Sequence, residues 1–248
     1  MKTDVEVARN IADTASSLLL QLRERGFAEG WDPKDLKDRG DLASHEHIMQ
    51  QFAALRPDDC VLSEEGVDNP VRLGASRVWV VDPLDGTREY SEQGRDDWAV
   101  HIALTIDGIV QFGVVALPAL GQLFDDQSAF SVSPKLDQPR ILVSRTRPPR
   151  EAAIVAEALN GILVPMGSAG AKTAAILRGE ADLYVHSGGQ YEWDLAAPVG
   201  VALSAGLHAS RIDGTAFRFN CEDPYLPDAL IGHSVLAVRA LAALGVGG

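Results

Sequence analysis

Residues 77 to 90 read "RVWVVDPLDGTREY": an apolar run that ends on two aspartates three positions apart. A run with no polar position in its middle is the pattern of a buried strand, so the rest of the chain has to fold around it. The strand must also surface where two negative charges can be received. Asp-Pro and Asp-Gly pairs are ordinary turn formers, and on this stretch alone a plain strand-ending turn explains Asp82 and Asp85 as well as a site does.

The flanking sequence predicts what surrounds that strand. Ala8, Ile11, Ala12, Ala15, Leu18, Leu19 and Leu22 recur at three- and four-residue steps, which is one apolar face of a helix. Thr3 and Glu6 have capping-box spacing, and Gly26 marks its stop. The polar, glycine- and proline-bearing stretch "GFAEGWDPKDLKDRGD" reads as a long loop, followed by a second helix from about Leu42 to Leu55 with Ile48, Met49 and Phe52 inward. "DCVLSEEG" is a short strand, and Asp107-Gly108 between "WAVHIALTI" and "IVQFGVVAL" is a hairpin turn. From "RILVS" onward strands alternate with helices, closing on the helical tail "VLAVRALAALG". The order predicts an antiparallel-rich half over 1–139 and an α/β half over 140–248, joined without a flexible linker as one structural unit.

Composition narrows the function. At 248 residues, 46% hydrophobic and 23% charged, the chain is long enough to bury a sizeable core. No apolar stretch approaches the roughly 20 residues of a membrane span, and "MKTDVEVARN" lacks the basic and apolar regions of a secretory signal. Cys60 and Cys221 are far apart and in no metal-ligand spacing, which predicts a reduced, cytoplasmic setting. Cys60, beside Val61, reads as a packed thiol rather than a reactive one. A formal net charge of −13 argues against a nucleic-acid partner. An anionic small molecule remains possible if something local reverses the field, and bound cations are the usual device.

That points back to the aspartates. The Asp-x-Asp chemistry of haloacid dehalogenase-type phosphatases is excluded by spacing, because Pro83 stands two before Asp85 and Asp82 is one residue further away. A hard-metal site fits: Mg²⁺ takes oxygen ligands, Pro83 stiffens the turn, and the Leu84 carbonyl is left free to join the two carboxylates. Glu64 and Glu65 end another strand, and Asp194 precedes a helix of small residues in "YEWDLAAPVG". An exposed acidic turn and a helix N-cap account for these equally well when each is taken alone.

Together the three motifs, Glu-Glu after a strand, Asp-Pro-Leu-Asp-Gly-Thr, and Trp-Asp-x-Ala-Ala, resemble those of the inositol monophosphatase superfamily of lithium-sensitive, magnesium-dependent phosphomonoesterases. The likeness runs from about Leu42 to Gly206. It implies a layered αβαβα sandwich of mixed α/β class, with two or three Mg²⁺ ions held in a cleft by Glu64, Asp82, the Leu84 carbonyl, Asp85 and Asp194. Such cations screen a phosphate's charge and lower the pKa of an attacking water. Glu65 stands behind them. The resemblance further implies that Gly86 and Thr87 cradle the phosphate at a helix start, and that Thr87 with an upstream aspartate orients the water. Asp41 matches that aspartate by its place before the second helix, with Asp38 as the alternative. Inhibition by Li⁺ and a possible homodimer come from the same resemblance.

The substrate is read from the remaining motifs. "REY", Arg88 to Tyr90, resembles the 3'(2'),5'-bisphosphate nucleotidases of the CysQ group, and "GSAGAK" resembles the segment by which they hold substrate, implying roles for Gly167, Ser168 and Lys172. A surface lysine on a small-residue helix is the competing account of Lys172. His186 stands where many such relatives carry Arg. Tyr191, Trp193 and His186 either stack on a purine or are ordinary core and rim aromatics. The implied reaction is hydrolysis of the 3'-phosphate of adenosine 3',5'-bisphosphate, and of its sulfated form, to the 5'-monophosphate. Inositol phosphates and fructose 1,6-bisphosphate are the other substrates considered, and a non-catalytic nucleotide or metal sensor is the alternative of another class.

Overall fold

The computed structural model describes residues 2–128 and 133–246. Two five-stranded sheets organise them. The first runs β1 (Cys60–Ser63), β2 (Arg77–Asp85), β3 (Ala99–Ile106), β4 (Ile109–Leu117) and β5 (Gln122–Phe124) in that spatial order. The second contains β6 (Arg140–Ser144), β7 (Ile162–Met166), β8 (Leu183–Tyr191), β9 (His208–Ser210) and β10 (Tyr225–Gly232), ordered β7-β6-β8-β10-β9. Seven helices complete the described fold: α1 (Asp4–Glu29), α2 (Pro33–Leu55), α3 (Thr87–Ser91), α4 (Arg150–Leu159), α5 (Ala169–Leu177), α6 (Glu192–Ser204) and α7 (Ser234–Ala243).

The apolar run of β2 is explained by its two faces. Trp79 and Val81 pack with α1 and α2, whereas Val78 and Val80 pack with α5 and α6 on the other side. Successive strand residues point to opposite faces, so a strand covered on both has no polar position to offer. The second sheet is likewise sandwiched, with α5 and α6 inside and α4 and α7 outside. The result is the five-layer αβαβα sandwich, and α5 and α6 are its largely apolar middle layer.

Several local expectations take definite form. Thr3 and Glu6 close a reciprocal capping box at the start of α1, and Asp107 and Gly108 both adopt positive φ in the β3–β4 hairpin. The long loop expected over residues 26–41 is corrected to helix. Gly26 lies inside α1, which ends instead at Gly30 with φ of 70°. Pro33 begins α2 rather than breaking the chain, because proline suits the first helical position, and Asp32 caps it by accepting the Lys34 N–H at 2.8 Å. Asp38 and Asp41 therefore stand on a helix, not in a loop before one. Strands β5, β9 and β10 have weak sequence signatures. Pro227 in β10 falls at a register shift between Leu226 and Asp228, where a missing N–H is tolerated. Among the described residues no helix is long and apolar enough to cross a membrane.

Helix α6 sits on the first sheet by backbone contact. A Cβ on Gly113 of β4 would come within 2.2 Å of the Ala197 carbonyl oxygen, and one on Gly200 within 2.6 Å of the Gly113 nitrogen. Gly113→Ala is expected to destabilise the protein by about 1–3 kcal/mol through overpacking, read as a lower midpoint in urea unfolding. Gly74→Ala, where nothing lies within 4 Å of the added carbon, serves as the neutral comparison.

Candidate active site

Parallel pairing of β1 with β2 brings two strand ends to one edge of the first sheet. Ser63 pairs with Val81, and the Glu64 N–H donates to the Val81 carbonyl at 3.2 Å, so Glu64 emerges beside Asp82. On the other side of β2 the ladder pairs Asp82 with His101 and Asp85 with Ala99, and the register shifts between them. Pro83 and Leu84 form that irregularity. A bulge lifts backbone groups out of the ladder, and here it turns both aspartates the same way.

Helix α2 holds this turn from behind. The Ser44 hydroxyl donates to the Pro83 carbonyl at 2.7 Å, and the Leu84 N–H donates to Asp82 Oδ1 at 3.0 Å. The Pro83 carbonyl is thus engaged, while Leu84 lines the cleft. Gly40 permits the approach: a Cβ there would be 2.7 Å from the Tyr90 ring and 2.9 Å from the Leu84 side chain. The next residue, Asp41, is half-buried facing Glu64 and Glu65. Asp38 is more than half exposed and pairs with Lys34 one turn away.

The third aspartate arrives from the second half. Asp194 lies in the first turn of α6, where its carboxylate accepts the Tyr191 N–H at 2.7 Å. Asp82, Asp85 and Asp194 each offer an oxygen within 4.8 Å of the others'. They stand in a cleft of about 240 Å³ also lined by Glu64, Leu84, Gly86, Thr87, Arg88, Arg145, Gly167, Ser168 and Lys172. Gly86, with φ of 85°, lets the chain turn from β2 into α3, where Thr87 is first.

Electrostatics set the character of the cleft. Burial first, then the carboxylates of Glu64, Asp85 and Asp194, push Asp82 well above the usual carboxylate range. Burial and Asp85 do the same to Asp194. Glu64 opens to solvent along the cleft edge, but protein crowds its carboxyl group and raises its pKa to about 7. Asp41 rises to about 8, chiefly by burial and then by Glu65 and Glu64. This surplus of oxygen charge fits a hard divalent cation, and Asp82, Asp85 and Asp194 are close enough together to hold one, with Glu64 and Leu84 lining the same cleft.

The "GSAGAK" segment forms the opposite wall, and its polar groups are already engaged. Gly167 N–H donates to Asp97 at 2.6 Å, the Ser168 hydroxyl donates to Asp85 Oδ2 at 2.5 Å, and the Gly170 N–H reaches the same oxygen at 3.0 Å. Lys172 is 4% exposed, so it is no surface lysine. Its ammonium donates to the Gly167 and Ser168 carbonyls at 3.1 and 2.7 Å and lies over the Tyr184 ring. Of "REY", Tyr90 is in the core and donates to the Leu19 carbonyl. Glu89 is buried against Arg145, which also pairs with Glu92. Only Arg88 is exposed on the cleft wall.

His186 is buried, with Nε2 3.1 Å from the Gly188 carbonyl, and Tyr191 stacks on Trp193; none of the three lines the cleft. The sequence reading did not single out Asp97, His101 or Arg145. A histidine within the apolar "WAVHIAL" and an arginine directly after "ILVS" were the available signals.

A mixed α/β sandwich with this acidic cleft between a β-bulge and a helix start defines a class, and comparison with known proteins identifies it. The chain belongs to the inositol monophosphatase family, whose model matches residues 1–244. It is 46% identical over 249 residues to a protein of Mycobacterium leprae named 3'-phosphoadenosine 5'-phosphate phosphatase, covering 95% of this chain and 91% of that one. It is 27% identical to the 3'(2'),5'-bisphosphate nucleotidase CysQ of Salmonella typhimurium, covering 89% and 94%. The crystal structure of inositol monophosphatase-II from Staphylococcus aureus superposes with a TM-score of 0.79 at 22% identity, over 94% of this chain and 92% of that chain.

The carboxyl pKa values carry a sign. Between pH 4.5 and about 7, folded Glu64 retains a proton that the unfolded chain has released, and Asp82 and Asp194 act in the same direction. Stability of the metal-free protein therefore falls as pH rises through that window. Thermal melts should show Mg²⁺ raising Tm more at pH 8 than at pH 5. Asp82→Asn should raise the metal-free Tm at pH 8 while removing most of the response to Mg²⁺.

Proposed function

We propose that this protein is a magnesium-dependent phosphomonoesterase that hydrolyses the 3'-phosphate of adenosine 3',5'-bisphosphate, and of its sulfated form, releasing phosphate and the 5'-monophosphate. The observation that carries this reading is the cleft itself, where buried carboxylates face a space of about 240 Å³ also lined by Arg88, Arg145 and Lys172. The M. leprae relative's name supports the choice of nucleotide over inositol or sugar phosphate. In this reading Glu64, Asp82, the Leu84 carbonyl, Asp85 and Asp194 hold two or three Mg²⁺. The bound ions would offset the cleft's negative charge, polarise the phosphoryl group and acidify water.

The chain's own groups supply the rest. Thr87 and Asp41 orient the attacking water for in-line displacement, with Asp41 as its proton acceptor once bound cations offset the neighbouring carboxylates. Gly86 and Thr87 receive the scissile phosphate at the start of α3. Gly167, Ser168 and Lys172 act by shape, fixing the opposite wall through the bonds that engage them. Arg88, which has no ion pair among the described residues, is available to the phosphate that is not cleaved. Li⁺ inhibits by competing for a Mg²⁺ position. The same reading places residues 1–139 and 140–248 as two subdomains of one unit, the enzyme in the cytoplasm with both cysteines reduced, and allows a homodimer.

Phosphate release with Mg²⁺ across adenosine 3',5'-bisphosphate, inositol 1-phosphate and fructose 1,6-bisphosphate, each with and without Li⁺, tests this directly. Preference for the nucleotide, lost in Asp85→Asn, is expected. Mg²⁺ binding without turnover of any ester would identify a sensor instead. Asp41→Asn should lower kcat about 10²- to 10⁴-fold with little change in KM, whereas Asp38→Asn should leave both near wild type.

A further inference from the structure

Asp85 is gripped on one oxygen. Oδ2 accepts the Ser168 hydroxyl and the Gly170 N–H, and Ser168 keeps this position despite a φ of 50°, a strained value for a residue other than glycine. A third group stands at the same oxygen. His101, from the strand paired with β2, is fully buried with Nε2 3.2 Å from Asp85 Oδ2. The contact is oblique rather than in line, so in the structure Nε2 is close to the carboxylate but makes no aligned hydrogen bond.

The other ring nitrogen, Nδ1, lies 3.3 Å from the Trp193 carbonyl. That carbonyl lies inside α6, where the i+4 N–H already serves it. The carboxylate, being charged, has the stronger claim on the ring proton, which assigns the Nε2–H tautomer. The fold makes room for this ring specifically: a Cβ on Gly170 would stand 2.1 Å from Nε2.

We propose that His101 is a positioning residue for Asp85, saturating Oδ2 together with Ser168 and Gly170 so that Oδ1 is the oxygen presented to a divalent cation beside Asp82 and Asp194. The inference rests on the metal-dependent reading above and extends it to a residue outside the ligand set. A carboxylate free to rotate offers either oxygen at varying angles, and donors fixed on one oxygen remove that freedom.

Calorimetric titration of Mg²⁺ into the wild type, His101→Leu, His101→Asn and Gly170→Ala tests this, with circular dichroism melts reporting folding. His101→Leu should weaken Mg²⁺ binding about 10- to 100-fold, while the nucleotide KM at saturating Mg²⁺ stays within about twofold. His101→Asn, which keeps an N–H donor, should recover part of the affinity. Gly170→Ala should weaken binding with the imidazole still present, and it decides the matter if His101→Leu does not fold. Wild-type Mg²⁺ affinity in the folded variants overturns the proposal alone; a wild-type protein that binds no Mg²⁺ overturns the metal-dependent reading and this proposal with it.

Discussion

Mutual repulsion among carboxylates is the constraint around which this molecule is built. Glu64, Asp82, Asp85 and Asp194 come from a parallel strand, a bulged strand and a helix in the other half of the chain, and they share one cleft. Removing carboxylates from water costs several kcal/mol each unless a counter-charge or donors compensate. Among the described residues, the buried cation beside them is Lys172, which is turned toward two carbonyls. The surrounding fold resists the resulting push: α2 holds the Pro83 carbonyl through Ser44, and α5 holds Asp85 through Ser168 and Gly170. Catalytic capacity and structural tension have the same origin, as in many sites where perturbed carboxyl groups converge.

The two sheets meet through polar contacts as well as through the middle layer. Asp97 takes the Gly167 N–H, Glu89 and Glu92 take Arg145, and a Cβ on Gly167 would fall 2.3 Å from the Glu89 carboxyl carbon. These contacts cluster where the cleft opens. A loop that reads as a phosphate cradle because of its glycine and serine is thus first a clasp between the layers.

How much of this was legible in the sequence depended on whether a residue's role was local or remote. The strand ending in Asp82 and Asp85, the hairpin at Asp107-Gly108 and the cap at Thr3 were readable because their causes lie within a few residues. The second helix was read from about Leu42 to Leu55, but its first turns, residues 33–41, were misread as loop because Pro33 and Gly40 look like breakers. Proline at a first helical position and glycine at a close approach to Tyr90 and Leu84 are compatible with a helix, but the second fact exists only in three dimensions. The metal-ligand candidates were identified through a resemblance between motifs, since nothing in the spacing of Glu64, Asp85 and Asp194 predicts that they converge. His101, Asp97 and Arg145 were missed because each acts through a partner distant in sequence.

Contact without side chains between Gly113, Ala197 and Gly200 has a consequence for how the chain is made. Residues Glu64 to Asp85 leave the ribosome more than a hundred positions before Asp194. During that interval the first sheet lacks its inner cover and the acidic edge lacks its final member. Only when α6 has emerged and seated on Gly113 through Ala197 and Gly200 can the middle layer close and the cleft acquire its second wall. Neither half could therefore be exchanged with that of a relative as an independent module unless the glycine seat travelled with both parts.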